Sequence, residues 1–199
     1  MNFTSYSQAG QSAFVHALLP KTDGTYIDIG ACHPVEINNT YGLEQLGWRG
    51  VSVDIDANAV ALHENVRKNV AWVADATRIE WDARLSQVVP TIGPKVDYLS
   101  LDIDESSLAA LNNLLRYDLR FHVITAEHDA YRNEDRLRKP MRDVLHERGY
   151  WLVASDVCAD DGSPYEDWWV SREIATSAVP FKSHNMKWRD ILRQGGIET

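Results

Sequence analysis

The chain predicts a three-layer α/β fold built on a doubly wound, mostly parallel sheet of about seven strands with an antiparallel closing strand. Short apolar runs alternate with segments of helical character along the chain, the pattern of strand–helix–strand units. The last two strand-like runs have no helix between them, which makes them antiparallel neighbours. A third feature says where function should lie: one run after another passes abruptly into carboxylates, and open α/β sheets bind ligands beyond the carboxyl ends of their strands.

Gln11 to Leu19 reads as a short helix stopped by Pro20 and the Asp23-Gly24 turn. Tyr26 to Gly30 is the first strand. Thr40 to Leu46 is a helix ended by Gly47, and Gly50 to Asp54 the second strand. An amphipathic helix spans Ala57 to Lys68, and Ala71 to Ala74 forms the third strand. Val96 to Leu101 is the fourth strand, Ser106 to Tyr117 a helix, and Phe121 to Ala126 the fifth strand. A helix from Arg136 to Arg148 stops at Gly149. Tyr150 to Val157 and Trp168 to Arg172 are the closing pair, joined by an Asp/Gly/Ser/Pro loop. The whole span 1–199 reads as one domain, with 1–20 an N-terminal helical lid and 180–199 a tail.

Composition narrows the function classes. The 199 residues suit one sizeable core, and 44% hydrophobic with 25% charged residues is ordinary for a globular protein. A net charge of −9 without a Lys/Arg block argues against general nucleic-acid or anionic-membrane binding. No apolar run reaches membrane-span length, and Met1 to Ser12 is polar, unlike a secretory signal. Cys32 and Cys158 are the only cysteines and make neither a disulfide framework nor a zinc spacing. The expected setting is cytoplasmic, and nothing marks a dimer interface.

Three strand ends outline a nucleotide-shaped pocket. Tyr26-Ile-Asp-Ile-Gly-Ala31 puts Asp28 and Gly30 at the end of the first strand, where glycine lets backbone approach a ligand. The dinucleotide fingerprint is absent, because its second and third glycines are missing. Val51-Ser-Val-Asp-Ile-Asp56 then offers Asp54 to ribose hydroxyls, with Asp56 in reserve or capping the helix near Ala57. Asp75 ends the third strand, placed for an adenine amino group. Together these point to an adenosine-containing cofactor.

The segments Ser7 to Gln11, Tyr26 to Pro34, Asn39 to Gly50 and Val51 to Asp54 resemble the FkbM family of S-adenosylmethionine-dependent methyltransferases. The resemblance continues through Asp97 to Asp104, Glu127 to Asp129, Gly149-Tyr150 and Glu166 to Trp169. It implies a Rossmann-like class I methyltransferase fold, S-adenosylmethionine as cofactor, and transfer to a hydroxyl of a sugar, glycan or secondary metabolite. By position it also implies that Asp28 and Gly30 flank the methionine part and that Asn39 and Thr40 line the pocket. Gln11 would then lie at its lid.

Two acidic clusters, Asp102-Ile103-Asp104 and Glu127-His128-Asp129, end the fourth and fifth strands. Carboxylates held this close need a cation, a shared proton or a bound cationic group. Asp102, Glu127, His128 and Asp104 form a candidate set for Mg²⁺ or Mn²⁺, with Asp129 as a further donor. Asp102 and His128 are the candidate catalytic residues, His128 as general base. The competing account is helix capping by Asp104 and ion pairs to Arg132 and Arg136. Other readings are a metal-dependent nucleotide-sugar transferase, from the D-x-D triplet, and a catalytically silent binding module. Trp168-Trp169 are core residues first and an acceptor platform second; Tyr131, Arg132 and Arg138 lie where an acceptor would sit. The tail from Lys182 to Arg193 either folds over the acceptor mouth or packs at the edge of the sheet.

Overall fold

A computed structural model of the chain describes residues 3–88 and 95–198, so both ends of the predicted 1–199 domain lie outside it. The strands are β1 (Thr25–Ile29), β2 (Arg49–Asp54), β3 (Val70–Val73), β4 (Lys95–Leu101), β5 (Arg120–Glu127), β6 (Trp151–Cys158), β7 (Pro164–Val170) and β8 (Ser183–His184). Among the described residues they form one eight-stranded sheet in the order β3-β2-β1-β4-β5-β7-β6-β8. β1 to β5 are parallel, β7 runs antiparallel to both β5 and β6, and β8 is parallel to β6. The helices are α1 (Gln11–Leu18), α2 (Tyr41–Gln45), α3 (Ala57–Val66), α4 (Trp81–Val88), α5 (Ser107–Arg116), α6 (Ala130–Asn133), α7 (Asp135–Glu147), α8 (Ala175–Ala178) and α9 (Trp188–Gln194).

Strand alternation divides the core in two. Ile27, Ile29, Val53, Leu99 and Leu101 face one layer, packed by Ala110, Leu111 and Leu114 of α5 and by Leu137, Met141 and Leu145 of α7. Their neighbours Tyr26, Tyr98 and Val123 face the other, packed by α1 and α9. Trp168 and Trp169 are adjacent in β7 and therefore fill opposite cores. The Phe14 ring of α1 stacks on Trp168 at a centroid distance of 4.6 Å. Gln8, just before α1, lines the cavity over the strand ends, while α1 itself packs into the second core. The tail does likewise: Phe181, Trp188, Ile191 and Leu192 are buried there.

Differences from the sequence reading have local causes. β7 begins at Pro164, because Glu166 and Asp167 are buried strand residues with dedicated partners. The two-residue β8 extends the predicted seven strands to eight. In α4 Trp81 and Leu85 are buried, and the sequence reading did not announce this helix. Among the described residues no helix is long and apolar enough to cross a membrane.

The strand order fixes the site. After β1 the chain builds outward through β2 and β3, then returns to place β4 on the other side of β1. The carboxyl ends of β1 and β4 are the topological switch point, where such sheets open a crevice.

Candidate functional site

A cavity of about 610 Å³ lies over the ends of β1 to β4. Its walls include Ile29, Gly30, Val53, Asp54, Ile55, Ala74, Asp75, Ala76, Asp102, Ile103 and Asp104, with Cys32, His33 and Ile37 on the loop after β1. Gly30 has φ +84°, and a Cβ there would run into the Asp102 carbonyl oxygen. Only glycine lets the two strand ends approach this closely.

The Asp54 carboxylate is held from both sides. Oδ2 accepts the Cys32 N–H at 2.9 Å and Oδ1 accepts the Asp56 N–H at 2.8 Å. Asp56 is used elsewhere, accepting the Asn58 N–H as the cap of α3, so the first choice for the ribose position faces the cavity. Asp75 also lines it; its Oδ1 accepts the Thr77 hydroxyl at 2.6 Å and the Thr77 N–H at 3.0 Å. Those hydrogen bonds hold its carboxyl below the ordinary value. Ile55 and Ile37 are 76% and 68% exposed at the cavity, two apolar side chains left without a packing partner of their own size. Sequence reading missed them, although an isoleucine between Asp54 and Asp56 at a strand end was a usable signal.

Four residues expected in the pocket, Asp28, Thr40, Gln11 and Asn39, are not among those that line it. Asp28 alternates away from Ile27 and Ile29, is fully buried, and accepts the Thr40 hydroxyl at 2.8 Å. Burial raises its carboxyl above the usual range, offset in part by Thr40 and Arg67. Thr40 is in turn held by Arg67. Gln11 is buried in the second core, its amide donating to the Tyr165 hydroxyl. Asn39 donates to the Ser100 hydroxyl, while its Oδ1 is buried without a partner.

The acidic clusters separate into two sites. Asp102 and Glu127 share a hydrogen bond between carboxyls, which requires a retained proton; burial first and Asp102 second push Glu127 up to about 11. Carboxylate oxygens of Asp104, Glu127 and Asp129 lie within 4.8 Å of one another. His128 is not among them. It lies just past the end of β5, before the left-handed Asp129, and is 1% exposed. Its Nε2 lies 3.3 Å from Asp167 Oδ1 and its Nδ1 accepts the Ala130 N–H. His128, the expected general base and metal ligand, belongs instead to a second, buried group with Asp156 and Asp167, whose ligand atoms also lie within 4.8 Å of one another and whose carboxylates are paired by Arg138 and Arg142.

No protein-family model matches the chain, and no curated protein sequence matches it. Solved structures do. An O-methyltransferase from Bacillus cereus in complex with S-adenosylhomocysteine superposes with a TM-score of 0.59 at 14% identity, covering 86% of this chain and 85% of that one. A TehB-like S-adenosylmethionine-dependent methyltransferase from Corynebacterium glutamicum gives 0.55 at 15%, covering 82% and 88%. TrmK of M. capricolum, in complex with S-adenosylhomocysteine as its natural cofactor product, gives 0.51 at 15%, covering 85% and 68%. The chain has the Rossmann-like fold of S-adenosylmethionine-dependent methyltransferases.

Proposed function

We propose that the chain is an S-adenosylmethionine-dependent methyltransferase of FkbM type, acting on a hydroxyl oxygen of a sugar, glycan or other small metabolite. The observation that carries this reading is one cavity at the switch point holding Gly30, Asp54, Asp75 and Asp102 in strand order. Its volume suits a nucleoside with an amino-acid tail. Asp54, already aimed by two backbone donors, would accept from the ribose hydroxyls. Asp75 would take the adenine amino group between Ile37, Ile55 and the small walls of Ala74 and Ala76.

When bound, S-adenosylmethionine supplies a methyl group activated on a sulfonium. The residues around it align the acceptor, exclude water and receive one proton. With His128 committed elsewhere, Asp102 at the inner wall is the group placed to hold that proton. A divalent ion is a second reading, favoured by the all-oxygen set Asp104, Glu127 and Asp129. Mg²⁺ or Mn²⁺ held there would polarise an acceptor oxygen.

Calorimetric titration with S-adenosylhomocysteine tests the reading, beside Asp54→Asn and with or without EDTA. Micromolar binding weakened by the substitution is expected. Binding of a nucleotide-sugar instead would move the chain to the transferase alternative, and equal affinity in EDTA would remove the metal from cofactor binding.

A further inference from the structure

We propose that Asp104, Glu127 and Asp129 form an acceptor subsite that takes a protonated amine, so that the acceptor is an amino sugar or another hydroxylated amine. This deepens the methyltransferase reading and rests on it. The first observation is a charge imbalance. Among the described residues the other buried acidic centre, Asp156 and Asp167, is matched by Arg138 and Arg142 at 2.7 to 3.0 Å. At the ends of β4 and β5 one charge is removed by the proton that Asp102 and Glu127 share, and among the described residues Asp104 and Asp129 have no buried cation beside them. Among the described ion pairs, Asp129 alone of the three meets a cation, Arg132, at 3.8 Å from a guanidinium that is 64% exposed.

The second observation is an orphaned acceptor. Asp129 is 3% exposed, yet its Oδ1 has no hydrogen-bond partner. A buried acceptor left unmade is costly, and a cationic donor removes that cost. An ammonium carries three donors, enough for one oxygen each of Asp104 and Asp129 and the carbonyl oxygen of the protonated Glu127, within their 4.8 Å separation.

The third observation favours an organic cation over a metal ion. Tyr131, two residues on, is half exposed, and its ring holds the Arg132 guanidinium at 5.1 Å. An aromatic face beside carboxylates attracts an organic cation and packs its carbon skeleton, whereas a hydrated divalent ion gains little from it. Asp104 also lines the cofactor cavity, which joins the two subsites.

The test uses saturation-transfer NMR on the full chain. Glucosamine, tyramine and spermidine are compared with glucose, 4-ethylphenol and 1,8-octanediol, and Mg²⁺ is titrated separately. At least one amine is expected to bind about tenfold tighter than its neutral counterpart, with that preference lost in Asp129→Asn and weakened in Tyr131→Ala. Asparagine keeps the left-handed backbone that Asp129 adopts, and Tyr131 is exposed, so both variants should fold. No amine preference, or a preference untouched by Asp129→Asn, overturns the proposal. So does Mg²⁺ binding that excludes the amines and ignores Tyr131→Ala. S-adenosylhomocysteine titrated into the same samples reports separately on the methyltransferase reading: amine preference without cofactor binding would remove that reading alone.

Discussion

Arg67 donates from Nε to Glu44 Oε2 at 2.9 Å, with both side chains almost wholly buried. The pair anchors the strand-end loops from behind. Arg67 also reaches the Pro34 carbonyl, the Asn38 side chain, the Tyr26 hydroxyl and the Thr40 hydroxyl, and Thr40 donates to Asp28. Burial alone would raise the Glu44 carboxyl, but the Arg67 charge holds it below its ordinary value. The polar residues expected in the cofactor pocket are thus the frame that holds its front wall.

Removing one partner should therefore cost far more than an exposed pair would. Glu44→Gln leaves a buried guanidinium uncompensated and should destabilise the fold by about 3–5 kcal/mol. Glu44→Gln with Arg67→Met should recover part of that loss. Urea unfolding of the wild type and both variants checks this, and a single-variant loss under about 1 kcal/mol would show that water reaches the pair.

The Asp28, Thr40 and Gln11 placements show where sequence reading stops. Strand type and order were legible because each run of apolar residues fills a buried strand and each following segment packs on it. Asp54, Asp75 and Gly30 were legible because a strand end in this topology has one place to point. Asp28 was not, because a carboxylate one residue earlier on the same strand faces the opposite layer, and the buried Arg67 that accommodates it comes from a distant helix end. His128 was not legible because the chain leaves β5 at Glu127 and turns through the left-handed Asp129, so its partners Asp156 and Asp167 come from β6 and β7.

Stability should depend on pH from both sides. Arg142 and His128 offset the burial of Asp167 and hold it down at about 2, below an unfolded value of 3.8. Its stabilisation, about 2 kcal/mol, is present above pH 3.8 and is lost as pH falls towards 2. Glu166 has the opposite sign: burial pushes it up to about 8 from 4.5, so the fold is favoured below pH 4.5 and loses that advantage as pH rises through 8. Melting temperature should peak on the acidic side of neutrality and fall by about pH 9. Glu166→Gln keeps an oxygen for Trp168 Nε1 and the Tyr165 hydroxyl and should flatten the alkaline slope. A melting temperature that rises from pH 5 to about pH 8 would contradict this sign.

Cofactor affinity should follow the two cavity carboxylates. Asp54→Asn removes the charged acceptor while leaving an oxygen for one of the two backbone donors. Hydrogen bonds to charged groups contribute about 1.5–3 kcal/mol, so S-adenosylhomocysteine should bind about ten- to a hundredfold more weakly. Asp75→Asn should cost less, because Thr77 and Arg78 already share that carboxylate. Equal losses at both positions would mean that the adenine sits differently.

His128 separates a structural account of the acidic clusters from a catalytic one. As a general base it would contribute about 10² to 10⁴ in rate, and its replacement would leave stability unchanged. The geometry requires the reverse. Nδ1 accepts the Ala130 N–H and Nε2 faces Asp167, so neither nitrogen is free to take a proton from an acceptor. Asp167, however, keeps Arg142 at 2.7 Å and the Asp156 N–H at 2.9 Å when the imidazole is lost. His128→Gln should therefore destabilise the fold by about 1–2 kcal/mol, the cost of one weakened buried contact, and should change methyl transfer per folded molecule by less than about threefold. Thermal unfolding and single-turnover rates, measured on the same preparation, tell the two apart. A hundredfold rate loss at wild-type stability would return His128 to the chemistry and require the α6 turn, which holds its ring through Ala130, to open during catalysis.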